Sequence, residues 1–103
     1  MNKPKNVVFS EEVGQPLEVD IYAVPGWDGF DKLIEFLKNE YSVEVINRID
    51  GPDARCWVLR SDGEEFELRH EDPYGNSIVA STVASEDIVR KIGLDLQERL
   101  KHL

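Results

Sequence analysis

The stretch Arg55-Cys56-Trp57-Val58-Leu59-Arg60-Ser61-Asp62-Gly63-Glu64-Glu65-Phe66-Glu67-Leu68-Arg69-His70 decides the fold. Asp-Gly between two runs of strand-forming residues is a strong hairpin signal. A two-residue type I′ turn needs positive φ at both central positions, and Asp and Gly tolerate it. A turn at Asp62-Gly63 sets the register. Ser61 then faces Glu64, Leu59 faces Phe66, Trp57 faces Leu68, and Arg55 faces His70. Paired side chains share a face. Trp57, Leu59, Phe66 and Leu68 therefore form one apolar patch. The opposite face carries Cys56, Val58 and Arg60 beside Glu65, Glu67 and Arg69, with Arg60 against Glu65 and Val58 against Glu67.

Upstream, Leu17, Val19, Ile21 and Ala23 alternate with Glu18, Asp20 and Tyr22, the period-two pattern of a half-buried strand. A shorter strand spans roughly 6–10, and Gly14-Gln15-Pro16 is a turn. Pro25-Gly26 ends the second strand, and Asp28 is the expected N-cap of a helix. Phe30, Leu33, Ile34, Leu37 and Tyr41 recur at helical spacing, with Phe36 on the flank of the stripe. After Ser42, the residues Val43, Val45, Ile46 and Ile49 predict a strand whose outer residues are Glu44, Ile46 and Arg48. Gly51-Pro52-Asp53 breaks it before the hairpin.

Downstream, Asp72-Pro73-Tyr74-Gly75-Asn76 reads as a loop and 77–83 as a strand. Ser85 is placed to cap a final helix, with Glu86 and Asp87 in its first turn. Its apolar stripe is Ile88, Val89, Ile92, Leu96, Leu100 and Leu103. Gly93 is a weak point inside it, costing about 1 kcal/mol relative to Ala. Leu94 lies off the stripe. The expectation is one α+β domain over 1–103, a two-layer sandwich in the order β-β-α-β-β-β-β-α. Its mainly antiparallel sheet of about six strands carries two helices on one face. The edge to which the first two strands add stays open.

Composition narrows the work such a domain does. The chain has 103 residues, 12 Lys+Arg and 21 Asp+Glu, for a net charge of −9. That balance argues against nucleic acid as a ligand, since phosphate contacts need concentrated Lys and Arg. A basic protein is the natural complement. No run approaches the ~20 apolar residues of a membrane span. The lone Cys56 cannot form an internal disulfide, which fits the cytoplasm.

No chemistry declares itself. His70-Glu71-Asp72 is a tempting metal or acid–base group, but His70 and Glu71 point to opposite faces of a strand and cannot converge. His70 is expected at the edge of the core. The glycines are scattered turn residues, not a phosphate-binding loop, and no Ser sits in a nucleophile elbow. The expectation is therefore no enzyme, no catalytic residue, no cofactor and no metal. The helix-free face should be acidic, with Tyr22, Ile46 and Val58 set into it. Contacts to a partner fall on Glu18, Asp20, Tyr22, Glu65, Glu67, Glu71, Asp72 and Tyr74, the acids steering and Tyr74 anchoring.

The run from Ile49 to Ala80 also resembles the central hairpins of small bacterial α/β families, uncharacterised or of immunity proteins. The shared markers are Gly51-Pro52-Asp53, Trp57, Asp62-Gly63 and Tyr74-Gly75. The immunity proteins among those families belong to polymorphic and contact-dependent toxin systems. The resemblance spans about 41–103 and implies a cytoplasmic inhibitor that neutralises a cognate toxin domain, such as a basic nuclease. Its markers are turn and core residues, so it transfers no binding residue. The alternative is a regulatory or housekeeping binding module of unknown ligand, homodimeric through a sheet edge or Leu94.

Overall fold

Asp62 and Gly63 adopt φ values of 51° and 79°, the left-handed pair that the hairpin requires. The structure, a computed structural model, describes residues 6–72 and 75–101. Its elements are β1 (Val7–Ser10), β2 (Glu18–Ile21), α1 (Gly26–Tyr41), β3 (Glu44–Asp50), β4 (Ala54–Ser61), β5 (Glu64–Glu71), β6 (Gly75–Ala80) and α2 (Glu86–Leu100). The hairpin β4–β5 has the expected register throughout, from Ser61 opposite Glu64 to Arg55 opposite His70.

The six strands form one antiparallel sheet in the order β1-β2-β6-β5-β4-β3. The first two strands thus add beyond β6, which settles the edge left open by the sequence. β2 pairs with β6 through Val19 opposite Ile78 and Asp20 opposite Ser77. Val19, Ile21, Leu59, Phe66, Leu68 and Ile78 point to one side. There they meet Phe30, Leu33, Ile34 and Leu37 of α1 and Val89, Ile92 and Leu96 of α2 in one buried core. Both helices cover that face, as expected of the two-layer sandwich.

Five local expectations need correction. Helix α1 begins at Gly26, ahead of Asp28, and Pro25 occupies the N-cap without a side-chain bond. Asp28 sits in the first turn and faces the helix dipole from inside the helix. Ser85 does occupy the N-cap of α2, but its hydroxyl bonds Thr82 instead of the helix amides. β6 runs Gly75–Ala80, so Gly75 and Asn76 belong to the strand and not to the preceding loop. Tyr22 lies past the end of β2, in a turn, because the chain must bend there to enter α1.

The fifth correction is the largest. A bulge between Val45 and Asn47 interrupts the β3–β4 ladder. One extra residue inverts every later side chain. Arg48 therefore pairs with Trp57 and lies on the helix side, not on the outer face where strict alternation puts it. Ile49 takes an outer position opposite Cys56 instead, and Ile46 sits at the bulge, exposed. Asn47 Oδ1 also accepts the Arg48 backbone N–H at 3.0 Å, tying up a donor on this sheet edge. Bulges, local capping and charges are common means of discouraging edge-to-edge pairing.

Gly93 has a packing reason. A Cβ there would lie 2.7 Å from Phe9 Cε2, 2.8 Å from Phe9 Cζ and 3.1 Å from Val19 Cγ1. The bare backbone lets α2 settle onto β1 and β2. Gly93→Ala should therefore destabilise the fold by about 1–3 kcal/mol, against a propensity gain of about 1 kcal/mol. Urea denaturation checks this, and a stabilised variant would show that Phe9 yields without cost.

Candidate functional site

Register places the outward side chains without ambiguity. Glu18 and Asp20 come from β2, Ser77 and Val79 from β6, Glu65, Glu67, Arg69 and Glu71 from β5, Cys56, Val58 and Arg60 from β4, and Glu44 from β3. Six carboxylates thus share the helix-free face with two guanidinium groups. Arg48 is not among them, so the face is more acidic than strict alternation predicts.

Two pairs use up both guanidinium groups. Arg60 Nη2 lies 2.8 Å from Glu65 Oε2, as the register predicts. Arg69 Nε donates to Glu67 Oε1 at 2.8 Å, and the Cys56 thiol donates to the same oxygen at 3.0 Å. Exposed pairs of this kind add little to stability, because solvent screens them. Burial pushes the Glu67 carboxyl up, but the bonds from Arg69 and Cys56 outweigh it and hold the group below its ordinary range. Burial and the neighbouring Glu67 push the Cys56 thiol up, which makes it a poor nucleophile.

Glu18, Asp20 and Glu71 are different. Among the described residues none of them has an ion-pair partner. Burial raises the Glu18 pKa, the hydrogen bond and charge of Asp20 raise it further, and Arg69 only partly opposes them. Beneath them Val79 is buried at 2% exposure on the outer side of the sheet, outside the main core. Of the other expected contacts, Tyr22 is exposed in its turn beyond β2, and Asp72 is exposed at the end of β5. Tyr74 lies outside the described residues.

A second group of residues gathers at the opposite side of the sheet, and sequence reasoning missed most of it. The Arg55 guanidinium stacks 4.3 Å from the Trp27 ring centroid and 5.0 Å from that of Phe30. It also reaches Asp31 at 3.1 Å. Its Nε lies 3.4 Å from Asp50 Oδ1, close enough for an ionic contact but without hydrogen-bond alignment. Arg48 covers Trp57 at 4.5 Å, and the Trp57 indole donates to Asp50 at 2.8 Å. His70 is buried, as expected, with Nδ1 2.8 Å from Asn76 Oδ1, while Asn76 Nδ2 donates to the Val24 and Gly26 carbonyls. These contacts pin the start of α1 to the sheet. Only the Arg55–His70 pairing was visible in the hairpin register; Trp27 carried no periodic signal.

Among the described residues, no group of three or more His, Cys, Asp or Glu is placed to hold a metal ion, and no helix is long and apolar enough to cross a membrane. What the site presents is an open, acidic sheet face with an apolar floor. The fold is that of an α+β sandwich domain. Residues 14–94 match the family described as Protein of unknown function (DUF3630), and the chain belongs to that family. No curated protein and no solved structure matches the chain.

The raised Glu18 pKa has a signed consequence. Between the ordinary carboxylate pKa and the raised one, the folded state binds more protons than the unfolded state. Stability therefore falls as pH rises through that window. Glu18→Gln removes the penalty. Its melting temperature should exceed the parent's at about pH 7 and converge with it near pH 4, where Glu18 is largely protonated in both states. Equal melting temperatures at both pH values would show that Glu18 is fully solvated.

Proposed function

We propose that this protein is a binding protein whose helix-free sheet face docks a basic protein partner. The supporting observation is the set Glu18, Asp20 and Glu71, three carboxylates on a sheet face with no ion-pair partner among the described residues, the neighbouring Arg69 being paired with Glu67. Clustered like charge disfavours the free protein, and a cationic surface relieves it on binding. The flanking Glu65, Glu67 and Asp72 extend the same field, and Tyr22 and Tyr74 each follow one of its acids, Asp20 and Asp72, by two residues in sequence.

The particular function we propose is inhibition, in a cytoplasmic immunity protein that occupies the substrate groove of a cognate bacterial toxin such as a basic nuclease. It is supported by the resemblance of the central hairpins and by the sign of the face. An acidic sheet can sit where a phosphate backbone would. The proposed mechanism needs no catalysis and no cofactor. Homodimerisation through β3 has less support, because the bulge and the Asn47 side chain both work against pairing at that edge.

Co-expression with the product of the gene immediately upstream is the direct test. The expected result is a stoichiometric complex and rescue of growth from that product's toxicity. Glu18→Gln/Asp20→Asn/Glu71→Gln should then associate at least about tenfold more slowly at low salt, with the difference fading as salt is raised. Equal rates at low salt would exclude steering by this face.

A further inference from the structure

The acidic face does not end at the sheet. A small hollow of about 140 Å³ lies among Asp20, Glu18, Arg69 and Glu71. It shares Glu18 and Arg69 with a second hollow of about 340 Å³, floored by Val79 and walled by Glu12, Gln15 and Pro16. Those last three residues also line a third and larger hollow, about 680 Å³, between the 11–17 loop and the 80–83 segment that leads into α2. The three form one trough that runs along β2 and over the end of the sheet.

The chemistry changes along it. The sheet end is acidic and polar. The far end holds Leu17, Ala80, Val13 and Val83. Val13 and Val83 are 105% and 84% exposed, one in each opposing loop, so neither contributes to the core. Two valines held fully in water beside a ligand-sized hollow are a cost to the free protein that an apolar occupant would relieve. Carboxylates also flank this end. Glu11 is engaged by Arg90 at 2.6 Å, whereas Glu12 and Glu86 have no ion-pair partner among the described residues.

We infer that the trough takes an extended segment of the partner, with basic residues at alternate positions and an apolar side chain at one end. An extended chain places alternate side chains about 6.6–6.8 Å apart, the same repeat that separates Glu18 from Asp20 on β2. The basic side chains would lie on Glu18, Asp20 and Glu71, and the apolar one would enter between Val13 and Val83. This deepens, and rests on, the basic-partner reading of the same face.

The test uses two labelled synthetic peptides of alternating lysine and threonine, one ending in leucine-phenylalanine and one in serine-serine. Binding is read by fluorescence anisotropy. The apolar-ended peptide should bind at least about tenfold more tightly than the serine-ended one. Val13→Ser/Val83→Ser, which leaves the core untouched, should erase that difference. Glu18→Gln/Asp20→Asn should weaken both peptides. If both peptides bind equally, or the valine variant changes nothing while the acid variant weakens both, the trough is overturned and the basic-partner reading stands. If the acid variant also leaves binding unchanged, both fail. No binding of either peptide at millimolar concentration overturns the trough and leaves the basic-partner reading to the co-expression complex.

Discussion

The positive φ pair at Asp62 and Gly63 is the constraint on which the rest of this molecule depends. A two-residue turn allows one register, and one register assigns every side chain of β4 and β5 to a face. Leu59, Phe66 and Leu68 are thereby committed to the helices. Glu65, Glu67 and Arg69 are committed to the other side, and β6 and β2 inherit the same phase by pairing outward from β5. The acidic face is thus a by-product of building the core. Every carboxylate that alternates with a buried residue must be presented there.

The two sides of the sheet use charge differently. On the helix side Arg55 and Arg48 are stacked on aromatic rings, and Arg55 is also held by Asp31 and Asp50. Such stacking is worth about 0.5–2 kcal/mol per contact, and that of Arg55 on Trp27 and Phe30 locks α1 in place. On the open side the guanidinium groups are already paired, and Glu18, Asp20 and Glu71 have no ion-pair partner among the described residues. Charge that stabilises is therefore found under the helices, and charge left over is found where a partner could use it. The trough continues that surplus toward a patch of exposed valine.

Much of the fold was legible in the sequence because it rests on period and punctuation. The alternation of Leu17 to Ile21, the 3.6-residue stripe of α1, and the Asp-Gly turn each act within a few residues. Their outcomes were read correctly in element order, hairpin register and the burial of Trp57 and His70. The candidate site was legible to the extent that alternation held, which placed Glu18, Asp20, Glu65, Glu67 and Glu71 outward. It failed at Arg48, since a bulge leaves no local signal in Val45-Ile46-Asn47. It also failed at Trp27, whose partners Arg55 and His70 are distant in sequence.

By itself the sequence determined the elements, their faces and the net charge, because those follow from short-range sterics and from counting. Only the tertiary structure decided that β1 and β2 dock beyond β6, which brings Glu18 and Asp20 beside Arg69 and Glu71. Only it decided that the 11–17 loop and the 80–83 segment oppose each other across a hollow. Strand order depends on which hydrophobic edges bury best together, a property of the whole core that no window of neighbouring residues contains.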